Sequence, residues 1–225
     1  MDIQISPFTA ADVKPYIRVF QAAFANHPRI PIMWPRGYTA DWYTYHENDI
    51  HNDIQDPTAR GMKAVETSTG RMVAGSEWSF AHVDAPDDMA GEKAIDPNQA
   101  PPEGWPVEGN WAVRMFFKLE WEKWRREVLA GKRYIELIIL VADPAFQGRG
   151  AGSKLLTWGC EQADKAGAMM VLEATPAASV LYRRFGFQER RVLNADMHQF
   201  GWKEVYDEEA AVRVYMTREP RTAQS

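Results

Sequence analysis

Apolar positions along this chain switch repeatedly between a spacing of two and a spacing near three and a half. Ile3 and Ile5 alternate with polar neighbours ahead of Pro7, which predicts a short strand. Thr9 stands at the N-cap of a helix predicted over 11–25, with Asp12 in its first turn and Pro15 near its start, where proline is tolerated. Pro28, Pro31, Pro35 and Gly37 make 26–38 a loop, and a polar-aromatic helix follows over 40–54. Residues 62–67 and 72–80 flank Ser68-Thr69-Gly70-Arg71 and predict a hairpin. Between His82 and Asn110 the pattern breaks on Pro86, Pro97, Pro101, Pro102, Pro106 and several acids, a long loop of the kind compact domains keep for function. Residues 111–130 then predict a helix stopped by Gly131, although Glu120-Trp121-Glu122-Lys123-Trp124 is too polar to be wholly buried.

The last third carries the strongest signals. Tyr134 to Ala142 is apolar on both faces, so it predicts a central strand, ended by Pro144. Gly148-Arg149-Gly150-Ala151-Gly152 is a tight turn into a helix that runs to about Ala166, with Gly152, Leu155, Leu156, Gly159 and Ala163 on one face. Gly167 closes that helix and 169–172 is another strand. Pro176 suits the first turn of a helix reaching Arg184, and strands follow at 187–193 and around Val212, Val214 and Met216.

Composition narrows the class. The 225 residues are 45% hydrophobic and 25% charged, so the bulk of the chain is globular. A single cysteine, Cys160, excludes an internal disulfide and argues against a cysteine-ligated metal; mid-helix, it reads as a buried structural thiol. A net charge of −5 offers no basic surface for nucleic acid. His46 and His51 do not share a helix face, so no metal site is expected. The N-terminus lacks the basic and apolar regions of a signal peptide, and no apolar run approaches the ~20 residues of a membrane helix. The expectation is a cytoplasmic protein without a membrane partner.

The strand, glycine turn and helix together predict an anion site. Small residues let several backbone N–H groups converge on a phosphate, and the helix adds its positive N-terminal end. Arg149 and Lys154 are placed to add charge. Two ligand classes compete for it. A dinucleotide fingerprint read from Gly148 reaches Ser153 where the third glycine belongs, although Glu173 lies about 20 residues on as a ribose-binding acid would. No βαβ ladder follows, which counts against an NAD(P) oxidoreductase.

The other class is acyl-coenzyme A. Gln147-x-x-Gly150-x-Gly152, set between an apolar strand and a helix, resembles the pyrophosphate loop of the GCN5-related N-acetyltransferase (GNAT) family. Downstream, Ala178-Ser179-Val180-Leu181-Tyr182-Arg183-Arg184-Phe185-Gly186-Phe187 is similar to that family's second signature. The resemblance covers most of the chain except 82–132. It implies one α/β (α+β) domain over 1–225, with a mixed, largely antiparallel sheet flanked by helices and an insertion at about 82–132.

The resemblance also implies chemistry. Acetyl-CoA would lie with its pyrophosphate on Gln147, Gly148, Arg149, Gly150, Ala151, Gly152 and Ser153. Its pantetheine would pair with the backbone of Leu140, Val141 and Ala142, and an N–H near Leu140 would stabilise the oxyanion. The acetyl group would pass directly to a primary amine of a small molecule or peptide. Glu136, eleven residues before Gln147, has the spacing of the base glutamate in histone-acetylating members. Tyr182 matches the signature tyrosine and would protonate the leaving thiolate, its ordinary pKa of ~10 keeping it protonated at neutral pH. Trp34, Tyr38 and Trp42, with Tyr43, lie where the family's first loop and second helix line the acceptor pocket, so the resemblance implies an aromatic wall there; partial core under the loop is the alternative. Arg183, Arg184, Arg190 and Arg191 are candidates for the cofactor's 3′-phosphate, and Glu204, Asp207, Glu208 and Glu209 for steering a cationic amine. A homodimer is compatible with the family. A non-catalytic acyl-CoA sensor stays open, and the insertion, which holds Trp105, Trp111, Trp121 and Trp124, is expected over the acceptor site or a subunit interface.

Overall fold

The computed structural model describes residues 2–83 and 95–221. The elements run β1 (Ile3–Pro7), α1 (Val13–Phe24), α2 (Ile30–Met33), α3 (Ala40–Gln55), β2 (Ala59–Glu66), β3 (Arg71–Ser79), α4 (Trp111–Leu129), β4 (Tyr134–Ala142), α5 (Ala151–Ala166), β5 (Met169–Ala174), α6 (Pro176–Arg184), β6 (Gln188–Asn194), α7 (Glu208–Ala211) and β7 (Val212–Arg218). The N-cap reading at Thr9 holds, since Thr9 and Asp12 close a capping box over the short helical turn 10–12. The loop predicted over 26–38 contains one helical turn, α2, with Pro31 in its first turn. Pro86 lies outside the described residues; the rest of the predicted loop runs from Ile95 to Asn110 in turns.

The strands form one sheet in the order β1-β2-β3-β4-β5-β7-β6, and the predicted mixed, largely antiparallel α/β domain is what the chain adopts. Every neighbouring pair is antiparallel except β4 and β5. β4 is central, as its two apolar faces require.

Alternate residues of each strand enter different cores. On one face, α5 and Tyr182 of α6 cover Ile135, Leu137, Met170, Leu172, Val214 and Met216. The opposite face holds two separate clusters. α1 and α3 cover the β3 side through Tyr16, Ile17, Trp42 and Met72. α4 covers the β5 and β7 side, where Phe117, Trp124 and Leu129 meet Tyr134, Val171 and Tyr215. The stretch around Trp121 is therefore more buried than its polarity predicts: Trp124 is core, and Glu122 is buried against Arg125 at 2.6 Å.

α5 lies close on β3 because Gly159 has no side chain. A Cβ there would come within 2.2 Å of the Trp78 ring, which is 1% exposed and tethered by Nε1 to Ser76 Oγ at 2.8 Å. Substituting Gly159→Ala is expected to cost about 1–3 kcal/mol, despite alanine's better helix propensity, because a fixed indole must move. Chemical denaturation measures it, and an unchanged midpoint would show that Trp78 can yield.

Candidate active site

Parallel pairing of β4 with β5 covers four register positions, Tyr134↔Met169 to Leu137↔Leu172, and then stops. Beyond it β4 pairs only with β3. There Glu77 faces Ile139 and Trp78 faces Leu137, so Ile138 is an extra residue, a bulge. β5 goes on to pair with β7 through Glu173 and Ala174. The two central strands thus diverge from Ile138, and among the described residues the backbone of β4 from 138 to 142 has no strand partner on its β5 side.

The open arm of β4 leads into the glycine turn. Asp143 ends the strand, buried, and accepts hydrogen bonds from the Ala145 amide at 3.0 Å and from Arg71 at 2.6 Å. Arg18 of α1 reaches the same carboxylate at 3.3 Å and the Met72 carbonyl at 2.7 Å. Gly148 and Gly150 then take φ of +72° and +89°, values that side chains disfavour, and a Cβ at either would meet nothing within 4 Å. An open concavity of small residues therefore sits at the N-terminus of α5, as an anion requires. The charge expected from Lys154 is used elsewhere: its Nζ donates to the Ile3 carbonyl at 2.7 Å, tying α5 to β1. Arg149 and Arg71 instead lie over the Phe146 ring beside the turn.

Tyr182 is 6% exposed in α6, edge-on to Phe187 at 5.8 Å. Burial holds its hydroxyl well above the ordinary phenol range, and that hydroxyl makes no hydrogen bond among the described residues. It is thus a protonated donor with no described partner.

The opposite face of the sheet carries a seam of charge between its two apolar clusters. Glu136 lies on β4 just before the divergence and is half-buried, on the same face as Tyr134. Glu173 on β5 and Glu77 on β3 share that face. Burial pushes Glu173 up to about 7, with Arg29 and Arg114 opposing and Glu136 adding. Arg213 of β7 holds Glu173 at 2.7 Å. Arg29 and Arg213 both lie over the Phe117 ring of α4, at 4.0 and 5.2 Å. Arg29 also donates to the Ala210 carbonyl at 2.9 Å while its buried Nη2 has no partner. Burial likewise pushes Glu77 up to about 7, the Tyr16 hydroxyl opposing and the charges of Asp53 and Asp49 adding.

The aromatic residues expected at the acceptor pocket pack to different depths. Trp42 is 1% exposed, stacked on His46 at 3.9 Å, and Trp34 is buried edge-on against Trp42. Both are core of the α1–α3 cluster, because the loop before α3 folds inward; Tyr38 is half-buried and Tyr43 more exposed. The same packing pushes His46 down to about 4, through burial first. The arginine cluster disperses: Arg183 pairs with Glu189, Arg191 with Glu120, and Arg190 donates to Thr217. Glu209 caps α6 at the Ala177 amide and Asp207 caps α7, so these acids have structural work. Cys160 is buried, and burial raises its pKa. Among the described residues no histidine, cysteine and carboxylate group could hold a metal, and no helix is long and apolar enough to cross a membrane. Cavities of about 320 Å³ between α6 and β6 and about 220 Å³ between α3 and residues 102–104 flank the molecule, away from the divergence.

Glu77, Glu173, Arg29 and Arg213 were not among the residues expected at the site. For Glu77, Glu173 and Arg213 the usable signal was the one applied to Glu136, a charged residue within an apolar strand run; Arg29, ahead of α2, carried no such signal.

Residues 120–189 match the model of the acetyltransferase (GNAT) domain. No curated protein sequence matches the chain. Among solved structures, the polyamine N-acetyltransferase of Drosophila melanogaster, which forms N-acetylagmatine, superposes with a TM-score of 0.65 at 16% identity, over 97% of this chain and 100% of that one. Arylalkylamine N-acetyltransferase 2 of Aedes aegypti gives 0.65 at 15% identity, over 98% and 100%. A structure from Corynebacterium glutamicum described as histone acetyltransferase HPA2 and related acetyltransferase gives 0.58 at 19%, over the whole of both chains. The resemblance carried by the two motifs therefore stands in both domain match and fold.

The raised Glu77 pKa has a sign that can be tested. Between the ordinary carboxylate value and about 7 the folded chain keeps a proton that the unfolded chain releases, so stability falls as pH rises through that window. Glu77→Gln is expected to be more stable than the parent at pH 8 by on the order of 1 kcal/mol, after solvent screening, and equal to it at pH 4. Urea unfolding at the two pH values checks this; a gain independent of pH would contradict it.

Proposed function

We propose that this chain, which carries the GNAT domain, moves an acetyl group from acetyl-CoA directly to a primary amine of a small molecule or peptide. One observation carries the reading: β4 and β5 part after Leu137 and Leu172, and the unpaired arm of β4 runs straight into an open glycine turn at a helix N-terminus. An extended arm ending in a pyrophosphate fits that combination of free backbone and converging amides. The named functions of the Drosophila and Aedes structures support an amine as acceptor.

Acetyl-CoA supplies an acetyl group already activated as a thioester. Gln147 to Ser153 would hold its pyrophosphate, and the backbone of Leu140, Val141 and Ala142 would align its pantetheine. The amide near Leu140 would stabilise negative charge developing on the carbonyl oxygen. Glu136 is assigned as the base that takes the ammonium proton, so that the amine lone pair is free to form the C–N bond. Glu173, sharing its face on the adjacent strand, favours a protonated partner and so raises the readiness of the pair to accept a proton near neutrality. As the C–S bond breaks, Tyr182 would donate its hydroxyl proton to the departing thiolate and regain one through solvent from the newly acylated nitrogen, which must lose its second proton to become the amide. The segment 82–132 is read as an insertion that serves the acceptor face, since its helix α4 brings Phe117 under Arg29 and Arg213 beside Glu173.

Free-thiol release from acetyl-CoA with a panel of primary amines tests the reading. Turnover is expected, with Tyr182→Phe lowering kcat by about a hundredfold and Glu136→Gln flattening the acid limb of the pH–rate profile. Coenzyme A binding without turnover on any amine would identify an acyl-CoA-binding protein instead. An unchanged pH profile in Glu136→Gln would remove the base assignment, and full kcat in Tyr182→Phe the acid one.

A further inference from the structure

Arg29 stands just ahead of α2, with its guanidinium 4.0 Å from the centre of the Phe117 ring of α4. Stacking uses the flat face of a guanidinium and leaves its in-plane N–H groups to find acceptors. Nε finds one, the Ala210 carbonyl at 2.9 Å. Nη2 is buried and has no hydrogen-bond partner. Among the described residues no carboxylate forms an ion pair with Arg29; Glu173 and Glu209 act on it only at a distance, and burial pushes it down to about 10. A buried cationic donor left in that state is costlier than a neutral one.

A second, independent orphan lies beside it. Tyr215 of β7 is 0% exposed, and its hydroxyl is buried without a partner. It stands opposite Glu173 in the β5–β7 register, and the charges of Glu173 and Arg29 both act on it. Arg213, two residues before Tyr215, holds Glu173 at 2.7 Å and lies 5.2 Å from the centre of the same Phe117 ring. The Glu173 side chain keeps 27% of its surface exposed, so a small solute can reach this spot. Both orphans can donate, and an arginine can do nothing else, so the partner they lack is an acceptor. Beside two guanidiniums it is an anionic one, and two donors match the two oxygens of a carboxylate. The carboxyls that would oppose it are Glu173, only partly charged near neutrality at about 7, and Glu136 beyond it; Arg114 of α4 offsets them.

We propose that Arg29 and Tyr215 form a carboxylate seat on the α4 side of the strand divergence, with one oxygen of the ligand on the Arg29 Nη2 donor and the other on the Tyr215 hydroxyl. Neither residue belongs to the glycine turn or to the assigned acid and base. Glu173 follows Leu172, the last register partner of β4, so the seat begins where the strands part. The carboxylate has two sources, a free carboxylic acid or an acid group on the acceptor itself. Only the second rests on the acetyltransferase reading. Under that reading the seat lies roughly 5–10 Å from Glu136 at ~4.8 Å per strand, a span that an amine on a short chain ending in a carboxylate covers.

Calorimetric titration of the full chain with butanoate, butylamine and 4-aminobutanoate, at fixed ionic strength and with and without coenzyme A, tests the seat without requiring turnover. Butanoate and 4-aminobutanoate are each expected to bind at least tenfold more tightly than butylamine, as one charge-assisted contact predicts. Arg29→Gln and Tyr215→Phe should each remove that preference, and Lys165→Gln, an exposed charge change on α5, should keep it. Tyr215→Phe should also unfold at the parent's urea midpoint or above it, because the hydroxyl it removes bonds nothing within the protein; a structural role would lower that midpoint. Equal binding of butanoate and 4-aminobutanoate assigns the seat to a free carboxylate. Tighter binding of 4-aminobutanoate assigns it to the acceptor, whose kcat/KM should then exceed that of butylamine by a similar factor. Carboxylates that bind no better than butylamine, or a preference that survives in either Arg29→Gln or Tyr215→Phe, overturn the proposal. Absence of thiol release with carboxylate binding intact would fail the transferase reading alone.

Discussion

Among the described residues β4 and β5 are the one parallel pair in an otherwise antiparallel sheet, and they share only four register positions before parting. The parting is built by the bulge at Ile138, which inserts a residue on β4 and turns it toward β3. Unpaired backbone inside a sheet is expensive unless something else bonds it. The rest of the molecule respects that: α5 begins where β4's free arm ends, α6 begins where β5 ends, and both lie on the same face. A closed sheet would have no use for a glycine turn held open at positive φ beside three arginines.

The divergence also explains why the opposite face has two apolar clusters instead of one. α1 and α3 seal the β3 side and α4 seals the β5 and β7 side. Between them the sheet displays Glu77, Glu136 and Glu173, with Arg213 following on β7. Charges so placed cost desolvation that burying aliphatic residues would avoid. Carboxyl groups pushed toward 7 by burial cost stability, and under the proposed function that cost would leave groups poised between two protonation states beside the divergence.

Most of this fold was legible because local signals and tertiary demands agree. β4 was readable to the residue from its run of apolar positions, and α5 from Gly150 to Gly167, both in left-handed backbone at the helix ends. α2 was hidden because three prolines in the thirteen residues 26–38 outweigh one turn of helix until Arg29 and Trp34 dock it. The loop and signature motifs located the open glycine turn and the α6 tyrosine. The charged seam on the opposite face was not legible, because it is assembled from β3, β5 and β7, whose charged residues are adjacent only after pairing. Glu173 illustrates the point: along the sequence it looked like a ribose ligand for a different cofactor, and only the register beside β7 gives it Arg213. For Trp34 and Trp42 the sequence left a binding wall and a partial core under the loop both open, and the loop folds inward to pack them against α1.

That inward fold bears on the surface the chain leaves for an acceptor under the proposed function. With Trp34 and Trp42 committed to the core, neither indole offers a flat face to an aryl group or a quaternary ammonium. The polar groups beside the divergence, Glu136 and Glu173 with Arg213 on β7, would then be the ones that orient an amine there, by charge and hydrogen bonding and not by stacking.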